Sequence, residues 1–429
     1  MKVDPRLPLT GRIEAAGGLV DLDAYEAAGG YAAAREAIAA GSPEAVIETV
    51  KDAKLRGRGG AGFPAGVKWG FVPREAPGTK YLVCNADEME PGTFKDRQLL
   101  EYDPHLLLEG MILAAFAIGA DVAYVFLRGE YVQAARRLEE AIAAARERGY
   151  LGPKAFEGRF SLELSVHRSA GRYLCGEETA LLSALEGERA IPRSKPPFPP
   201  ASGAWGRPTI VNNVETLCNV PAILREGADW YRGLGRGEDA GTKLFGVSGR
   251  VRRPGLWELP MGTTLRELIE EHAGGMQPGY GFRALLPGGA STDFLVAEHL
   301  DVPMEYEAIA AAGSRLGTGT VMVMDDRVCP VAFALNLQRF FARESCGFCT
   351  PCREGLPWLV SLLEDIEAGR GEPGDLDVLA RNADFIGTPG HTFCLHATGA
   401  MEPLTSGLRF FREDFEEHLA TGVCRYGAP

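Results

Sequence analysis

The chain has 429 residues, 45% hydrophobic and 24% charged, with a formal net charge of −13. That length admits two or three domains with their own cores, and the composition is ordinary for a globular protein. The acidic balance, with Lys and Arg scattered and no basic run, excludes a nucleic-acid surface.

In chain order, residues 1–41 are rich in Ala and Gly, with one predicted helix near residues 31–40 and no evident chemistry. Ser42, Pro43 and Glu44 read as N-cap, first helical residue and first-turn acid of a second helix. A glycine-rich stretch follows, GRGGAGFPAGVKWG from Gly57 to Gly70. Gly57, Gly59 and Gly62 satisfy G-x-G-x-x-G, but a dinucleotide fingerprint must follow a strand, and here a helix precedes it. A strand at 80–84 then runs into the acidic turn Asn85, Asp87, Glu88, Glu90, at the kind of strand end where open α/β sheets place ligands. Helices at 104–118 and 131–148 and strands at 122–127 and 160–166 continue the alternation that implies an α/β sandwich. The longest apolar stretch, 111–119, is far short of the ~20 residues a membrane span needs.

A second glycine corner, GRYLCG at 171–176, leads into a helix opening Glu177, Glu178, Thr179. PRSKPPFPP at 192–200 is too rich in proline for helix or strand and reads as a stiff, extended surface segment. Asn212 and Asn213 precede a helix at 214–225. From 242 a hairpin around Arg253-Pro254-Gly255, a helix from Thr264 and strands at 282–286 and 320–324 suggest a small β-grasp (ubiquitin-like) unit. From 328 onward the pattern is helical throughout, predicting a C-terminal helical bundle. The N-terminus lacks the plan of a signal peptide, so a cytoplasmic protein that reaches a membrane only through partners is expected.

The strongest chemical signal is Cys346-Gly-Phe-Cys349-Thr-Pro-Cys352. Successive C-x-x-C steps bring three thiolates round one tight loop onto three irons of a cube, and a remote cysteine must close the fourth corner. Cys394, in HTFCLHA after 41 intervening residues, is the candidate. Zinc is the rival, although structural zinc sites usually pair cysteines two by two. His391 and His396 flank Cys394 and read as ligands or, more simply, as loop residues. Cys84, Cys175, Cys218, Cys329 and Cys424 are isolated and default to buried small hydrophobes.

The glycine loop, the acidic strand end, the 171–176 corner and the Asn212 turn are polar or glycine-rich breaks at element ends, able to converge on one pocket. Carboxylates and amides suit ligand hydroxyls, glycine amides suit phosphates, and Phe63, Phe71 and Phe198 suit aromatic rings. The bland alternative makes the acids solvated and the phenylalanines core.

The motifs LRGRGGAGFPAGVKW, CNADEMEPGTFKDR, CGEETALLSALEG, KPPFPP, TIVNNVETL and ESCGFCTPCREG, in this order, resemble the flavin- and NADH-binding subunit of bacterial respiratory complex I (NADH:quinone oxidoreductase) from about residue 40 to 418. The resemblance implies an α/β domain over 1–240, Rossmann-like but without the usual dinucleotide fingerprint, a β-grasp domain over 241–327, and a helical bundle over 328–429 carrying a [4Fe–4S] cluster. It implies that Gly57, Gly59, Gly60 and Lys68 hold FMN. Asn85, Asp87 and Glu88 would accept its ribityl hydroxyls, Tyr173, Gly176 and Glu177 would close the far side, and Val211, Asn212 and Asn213 would lie by its phosphate and ring. Glu90 and Glu178 would orient NADH, with Phe63, Phe71 and Phe198 along the dinucleotide and Lys195 at its phosphates. Cys346, Cys349, Cys352 and Cys394 match the cluster ligands.

The implied reaction is hydride transfer from NADH to FMN, then single-electron transfer to the cluster and on to partner subunits: a thioredoxin-like [2Fe–2S] subunit and a large multi-cluster iron–sulfur subunit. The acids around the flavin would lower its potential. The alternatives are a diaphorase subunit of an NAD-linked hydrogenase or formate dehydrogenase, and a non-catalytic iron or zinc scaffold.

Overall fold

The computed structural model describes residues 3–427. Two compact units emerge. The first runs to Met89 and then takes Phe94–Phe245 and Leu256–Thr263; the second takes Glu90–Thr93, Gly246–Gly255 and the chain from Thr264 on.

The first unit is built on a five-stranded sheet of β1 (Tyr81–Ala86), β2 (Val122–Leu127), β3 (Gly152–Lys154), β4 (Phe160–Arg168) and β5 (Thr209–Asn213). Its order is β3-β4-β2-β1-β5. The four longer strands are parallel, with Tyr81 opposite Val122 on one side and Thr209 on the other. In β1 the residues Leu82, Val83, Cys84 and Ala86 are all buried, as expected for a strand covered on both faces. From β1 the chain passes to β2 on one side and returns as β5 on the other. The carboxyl ends of β1 and β5 therefore flank a topological switch point, where open α/β sheets bind ligands.

Helix signals in the sequence correspond closely to what forms. Asp103 accepts the Leu106 N–H at 3.2 Å and Pro104 opens the buried helix Pro104–Ile118, which stops at left-handed Gly119. Ser42 caps Pro43–Asp52 through the Ala45 N–H. The sequence pattern failed to reveal β5. TIVNN is short, ends in two residues disfavoured in strands, and sits at the sheet edge, so its pairing with β1 supplies what its propensity lacks.

The second sheet comprises β6 (Thr242–Ser248), β7 (Gly255–Pro260), β8 (Phe282–Leu286), β9 (Leu295–Val296) and β10 (Thr320–Asp325), in the order β7-β6-β10-β8-β9. In the second unit β10 runs parallel to β6 at Gly246 and antiparallel to β8 at Leu286. The predicted helix after Thr264 is a wide-wound segment, Glu267–His272, with Ala273 N–H bonded to Leu268 O. Five helices follow: Pro330–Glu344, Thr350–Glu367, Asp375–Gly387, His396–Phe410 and Arg412–Thr421. The first packs on the second and the fourth, and the second on the third.

A charged cluster lies inside the first unit. Glu215 and Lys243 are fully buried, and Lys95 and Arg58 nearly so. Glu215 Oε2 lies 2.9 Å from Lys95 Nζ and 3.1 Å from Lys243 Nζ, while Oε1 accepts the Leu244 N–H at 2.8 Å. Lys95 has a second counter-charge in Asp96, at 2.7 Å. Burial pushes Lys243 down to about 7, against the pull of Glu215. Replacing Glu215 by Gln leaves buried Lys243 without its carboxylate and Lys95 with Asp96 alone, at a cost of roughly 3–5 kcal/mol, and the melting temperature should fall by about 6–20 °C. An unfolded lysine titrates near ~10.4, so between pH ~7 and ~10 unfolding takes up a proton and this group makes stability rise with pH. Lys243→Met should remove that slope from melting curves taken across the window.

Candidate functional site

The glycine loop lies between the helices Pro43–Asp52 and Ala65–Trp69. Its neck closes through Gly57 N–H to Phe63 O at 2.9 Å and Ala65 N–H to Leu55 O at 2.8 Å. Arg58 anchors it. The guanidinium Nη2 donates to Tyr231 Oη, Ala240 O and Thr242 O at 3.1, 2.8 and 3.1 Å, and the Arg58 N–H donates to Thr216 Oγ1 at 2.8 Å. With that side chain held inward, Gly59 is exposed and Gly60 half-buried, leaving backbone open to a ligand. Gly60 adopts φ 127°, open only to glycine in practice. At Gly59 a Cβ would lie 2.9 Å from the Asn213 Cβ.

The ends of β1 and β5 supply polar groups. Asn85 Nδ2 donates to Gly176 O at 3.3 Å, and its Oδ1 accepts the Asp87 N–H at 3.2 Å. Asp87 Oδ1 accepts from Ser169 Oγ at 2.8 Å. Val211 O accepts from Lys68 Nζ at 2.9 Å, and Asn212 Oδ1 from Trp69 Nε1 at 2.8 Å. Asn213 caps the helix Val214–Glu226 through the Glu215 N–H and donates its Nδ2 to Asp96 Oδ2 at 2.6 Å.

The Tyr173–Gly176 turn leaves Gly176 exposed, with nothing within 4 Å of a Cβ placed there. Glu177 caps the helix Glu178–Leu185 through the Thr179 and Ala180 N–H groups and meets Lys195 Nζ at 2.9 Å. Glu178 is gripped by Lys68 at 2.7 Å and Lys195 at 3.3 Å. Burial would raise its carboxyl, but the two lysines outweigh that and hold it below the usual range. Phe63, Phe71 and Phe198 expose 48%, 57% and 57% of their surface, an unusual proportion for large apolar rings. The Phe63 and Phe71 rings lie 6.2 Å apart.

Three predicted acids stand elsewhere than at an open face, Asp87 among them at 5% exposed. Glu88 is buried, accepting the Asp96 and Arg97 N–H groups at 2.8 and 3.1 Å and Tyr131 Oη at 2.9 Å. Burial, with Asp96 adding to it against Lys95, pushes its carboxyl up to about 7. Glu90 falls in the second unit, where Oε1 accepts the Ser291 N–H at 2.7 Å. The residues that sequence reasoning missed are Arg58, Lys95, Asp96 and Tyr131, which hold the predicted ones in place. The only available signal was their position inside or beside the same motifs.

The cysteine centre belongs to the second unit. Cys349 is the N-cap of Thr350–Glu367 and Cys352 lies in its first turn, so the helix amides point at the thiol cluster. Phe393 N–H donates to Cys349 Sγ at 3.1 Å, and the Phe348 and Phe393 rings meet edge-on at 5.2 Å. These contacts seat the Cys394 loop on the Cys346–Cys352 turn. Ser345 Oγ lies 3.2 Å from Cys352 Sγ. His391 Nδ1 is bound to Phe385 O at 2.7 Å, while His396 is no loop residue but opens the helix His396–Phe410, buried, with Nε2 2.9 Å from Phe341 O.

Three family models match the chain. Residues 50–222 match the Nuo51 FMN-binding domain, 244–294 an SLBB domain, and 332–418 the NADH-ubiquinone oxidoreductase-F iron–sulfur binding region. The F-type subunit of NADH-quinone oxidoreductase from Escherichia coli (strain K12) is 58% identical over 426 residues, spanning 97% of this chain and 96% of that protein. The chain belongs to the family of NADH-quinone oxidoreductase F-type subunits. The Streptomyces coelicolor member is 48% identical over 94% of this chain and 89% of that protein. Among solved structures, a chain of an NAD+-reducing [NiFe]-hydrogenase superposes with a TM-score of 0.79 at 43% identity. The match covers 88% of this chain and 63% of the hydrogenase chain.

The residues present fit the groups these family models name. For FMN the fit lies in the donor set: exposed glycine backbone, a lysine, amide side chains and exposed aromatic rings around one sheet edge. For the cluster it is four cysteines, Cys349 and Cys352 at a helix N-terminus with Cys349 already receiving an N–H···S bond, Cys346 just before them and Cys394 next to Phe393, whose N–H makes that bond. Gly59→Ala pushes a methyl group into Asn213, and overpacking of that kind costs roughly 1–3 kcal/mol. FMN affinity should fall about tenfold or more by flavin fluorescence titration, while the iron content stays at the unsubstituted level.

Proposed function

We propose that the chain is the electron-input subunit of an NADH:quinone oxidoreductase, an FMN-dependent NADH dehydrogenase that passes electrons to a [4Fe–4S] cluster. The observation that carries this reading is the convergence of the open glycine backbone, Lys68 and the ends of β1 and β5 on the switch point of the first sheet. FMN held there would supply hydride acceptance from NADH and release of electrons one at a time, and Cys346, Cys349, Cys352 and Cys394 would hold a cluster suited to single electrons.

The chain's own task is positioning. Gly57, Gly59 and Gly60 bring backbone amides to the cofactor phosphate side, Asn85 and Asp87 offer acceptors to its hydroxyls, and Val211, Asn212 and Asn213 line its other edge. Tyr173, Gly176 and Glu177 close the far side. Glu178 and Lys195 meet the dinucleotide, with Phe63, Phe71 and Phe198 as stacking surfaces that exclude water. Glu88 acts from behind, fixing the N-terminus of the helix Lys95–Tyr102. No nucleophile or general base is required, since hydride transfer needs chiefly face-to-face approach at about 3–3.5 Å.

The chain works with partner subunits, a thioredoxin-like [2Fe–2S] protein and a large iron–sulfur protein. Exposed Phe348, Phe385, Phe393 and Leu395 beside the cysteine loop supply apolar surface for a partner to cover. No helix among the described residues is long and apolar enough to cross a membrane, so attachment to the inner face of the cell membrane runs through those partners. Residues 1–240 serve as the flavin domain, 241–327 as a β-grasp unit and 328–429 as a helical bundle around the cluster. The likeness to a hydrogenase chain supports a second reading, a diaphorase subunit.

The protein purified with its partners should absorb near ~450 nm from bound flavin and reduce ferricyanide with NADH. Absence of both would overturn the enzyme reading, and hydrogenase subunits in the complex would favour the second one. Glu178→Gln should raise the KM for NADH roughly tenfold, about 1.4 kcal/mol, with FMN retained. An unchanged KM would remove Glu178 from the dinucleotide side.

A further inference from the structure

A second group of soft and borderline ligands lies away from the cysteine centre. Cys329, Glu367, His418 and Cys424 bring one ligand atom each within 4.8 Å of one another. Cys329 Sγ is 3.4 Å from Glu367 Oε2 and 3.5 Å from His418 Nε2, and those last two atoms are 3.4 Å apart. In a tetrahedron with Zn–N and Zn–O bonds near ~2.0 Å and Zn–S near ~2.3 Å, ligand atoms stand about 3.3–3.8 Å from each other. All three measured separations fall in that range.

The surroundings point the same way. His418 Nδ1 is 2.6 Å from Asp414 O, a contact that places the ring proton on Nδ1 and leaves the Nε2 lone pair facing Cys329 and Glu367. Ala332 N–H donates to Cys329 Sγ at 3.4 Å from the first turn of Pro330–Glu344, which fixes the sulfur at that helix start. Glu367 Oε1 is buried with no hydrogen-bond partner. The backbone also brings distant ends together: Gly422, at φ 64°, ends Arg412–Thr421, and a Cβ on Gly369 would lie 2.2 Å from Gly422 O. That close approach sets the tail bearing Cys424 beside the helix end bearing Glu367.

We infer that Cys329, Glu367, His418 and Cys424 form a structural zinc site, distinct from the iron–sulfur cysteines, that clasps the C-terminal tail to three helix ends. Two thiolates, one imidazole and one carboxylate suit zinc by softness and by preferred geometry. Binding releases the two thiol protons, and no electron changes hands.

The test uses the complete chain purified with its partners and without chelators. Elemental analysis should find about one zinc per chain beyond the iron, and Zn K-edge absorption should fit two sulfurs near ~2.3 Å with nitrogen and oxygen near ~2.0 Å. Cys424→Ser and His418→Gln should each cut zinc at least tenfold while iron and flavin content stay unchanged. Should either variant fail to fold, alkylation of the unsubstituted protein decides: Cys329 and Cys424 should become reactive only after chelation. Zinc bound by four sulfurs, zinc retained in both variants, a Cys329–Cys424 disulfide, or thiols reactive before chelation would each overturn the assignment.

Discussion

The site in the first unit depends on one buried carboxylate. Glu215 has no access to water, faces Lys95 and Lys243, and accepts the Leu244 N–H. Isolated, any of these charges would be expensive in the interior; together they stand only in one geometry. That geometry reaches the glycine loop and the ends of β1 and β5. Lys243 Nζ also donates to Arg58 O at 3.3 Å, fixing the glycine loop, and Lys95 Nζ lies 3.3 Å from Asn213 Oδ1 at the end of β5. Asp96, paired with Lys95, presents its N–H to Glu88 just beyond β1. The open backbone of Gly59 and Gly60 is thus held from beneath by buried ions, which lets it remain exposed without being loose.

Pairing of this kind also changes the electrostatics of the acids. The sequence lines up Asp87, Glu88, Glu90, Glu177 and Glu178, which suggests a strongly negative field on a bound flavin. In the first unit those charges are largely answered. Glu177 spends its carboxylate on a helix N-terminus and Lys195, Glu178 is shared between Lys68 and Lys195, and Glu88 is driven toward its neutral form near pH 7. Glu90 faces a backbone amide in the second unit. The field left over is smaller than five charges imply, so any depression of a flavin potential by this chain is modest.

What could be read from the sequence divides along a physical line. Elements whose signals are local came through: the capped helix after Asp103, the strand at Val122–Leu127, the helix after Glu177, and the glycine loop with a helix rather than a strand before it. The candidate residues were legible as candidates, because Gly, Asn, Phe and acidic residues at element ends are recognisable where they stand. The supports were not. Arg58, Lys95 and Lys243 are charged residues that ordinarily lie in water, and nothing in a linear sequence distinguishes a lysine at 0% exposure from one on the surface. β5 escaped for a related reason, since its strand character comes from β1 and not from TIVNN itself.

Cysteine gives the sharpest contrast. Cys346, Cys349 and Cys352 advertise themselves because one loop brings them together, and the incomplete set they form sends the search on to Cys394. Cys329 and Cys424 are separated by 94 intervening residues, and each alone looks like a small buried hydrophobe. Only the packing of Pro330–Glu344, Thr350–Glu367 and Arg412–Thr421 gathers them with Glu367 and His418. Spacing reveals a site whose ligands the local chain has already assembled; a site assembled by helix packing has no spacing to reveal. Its presence must be judged from tautomer, ligand separation and burial, and those quantities first exist in the fold.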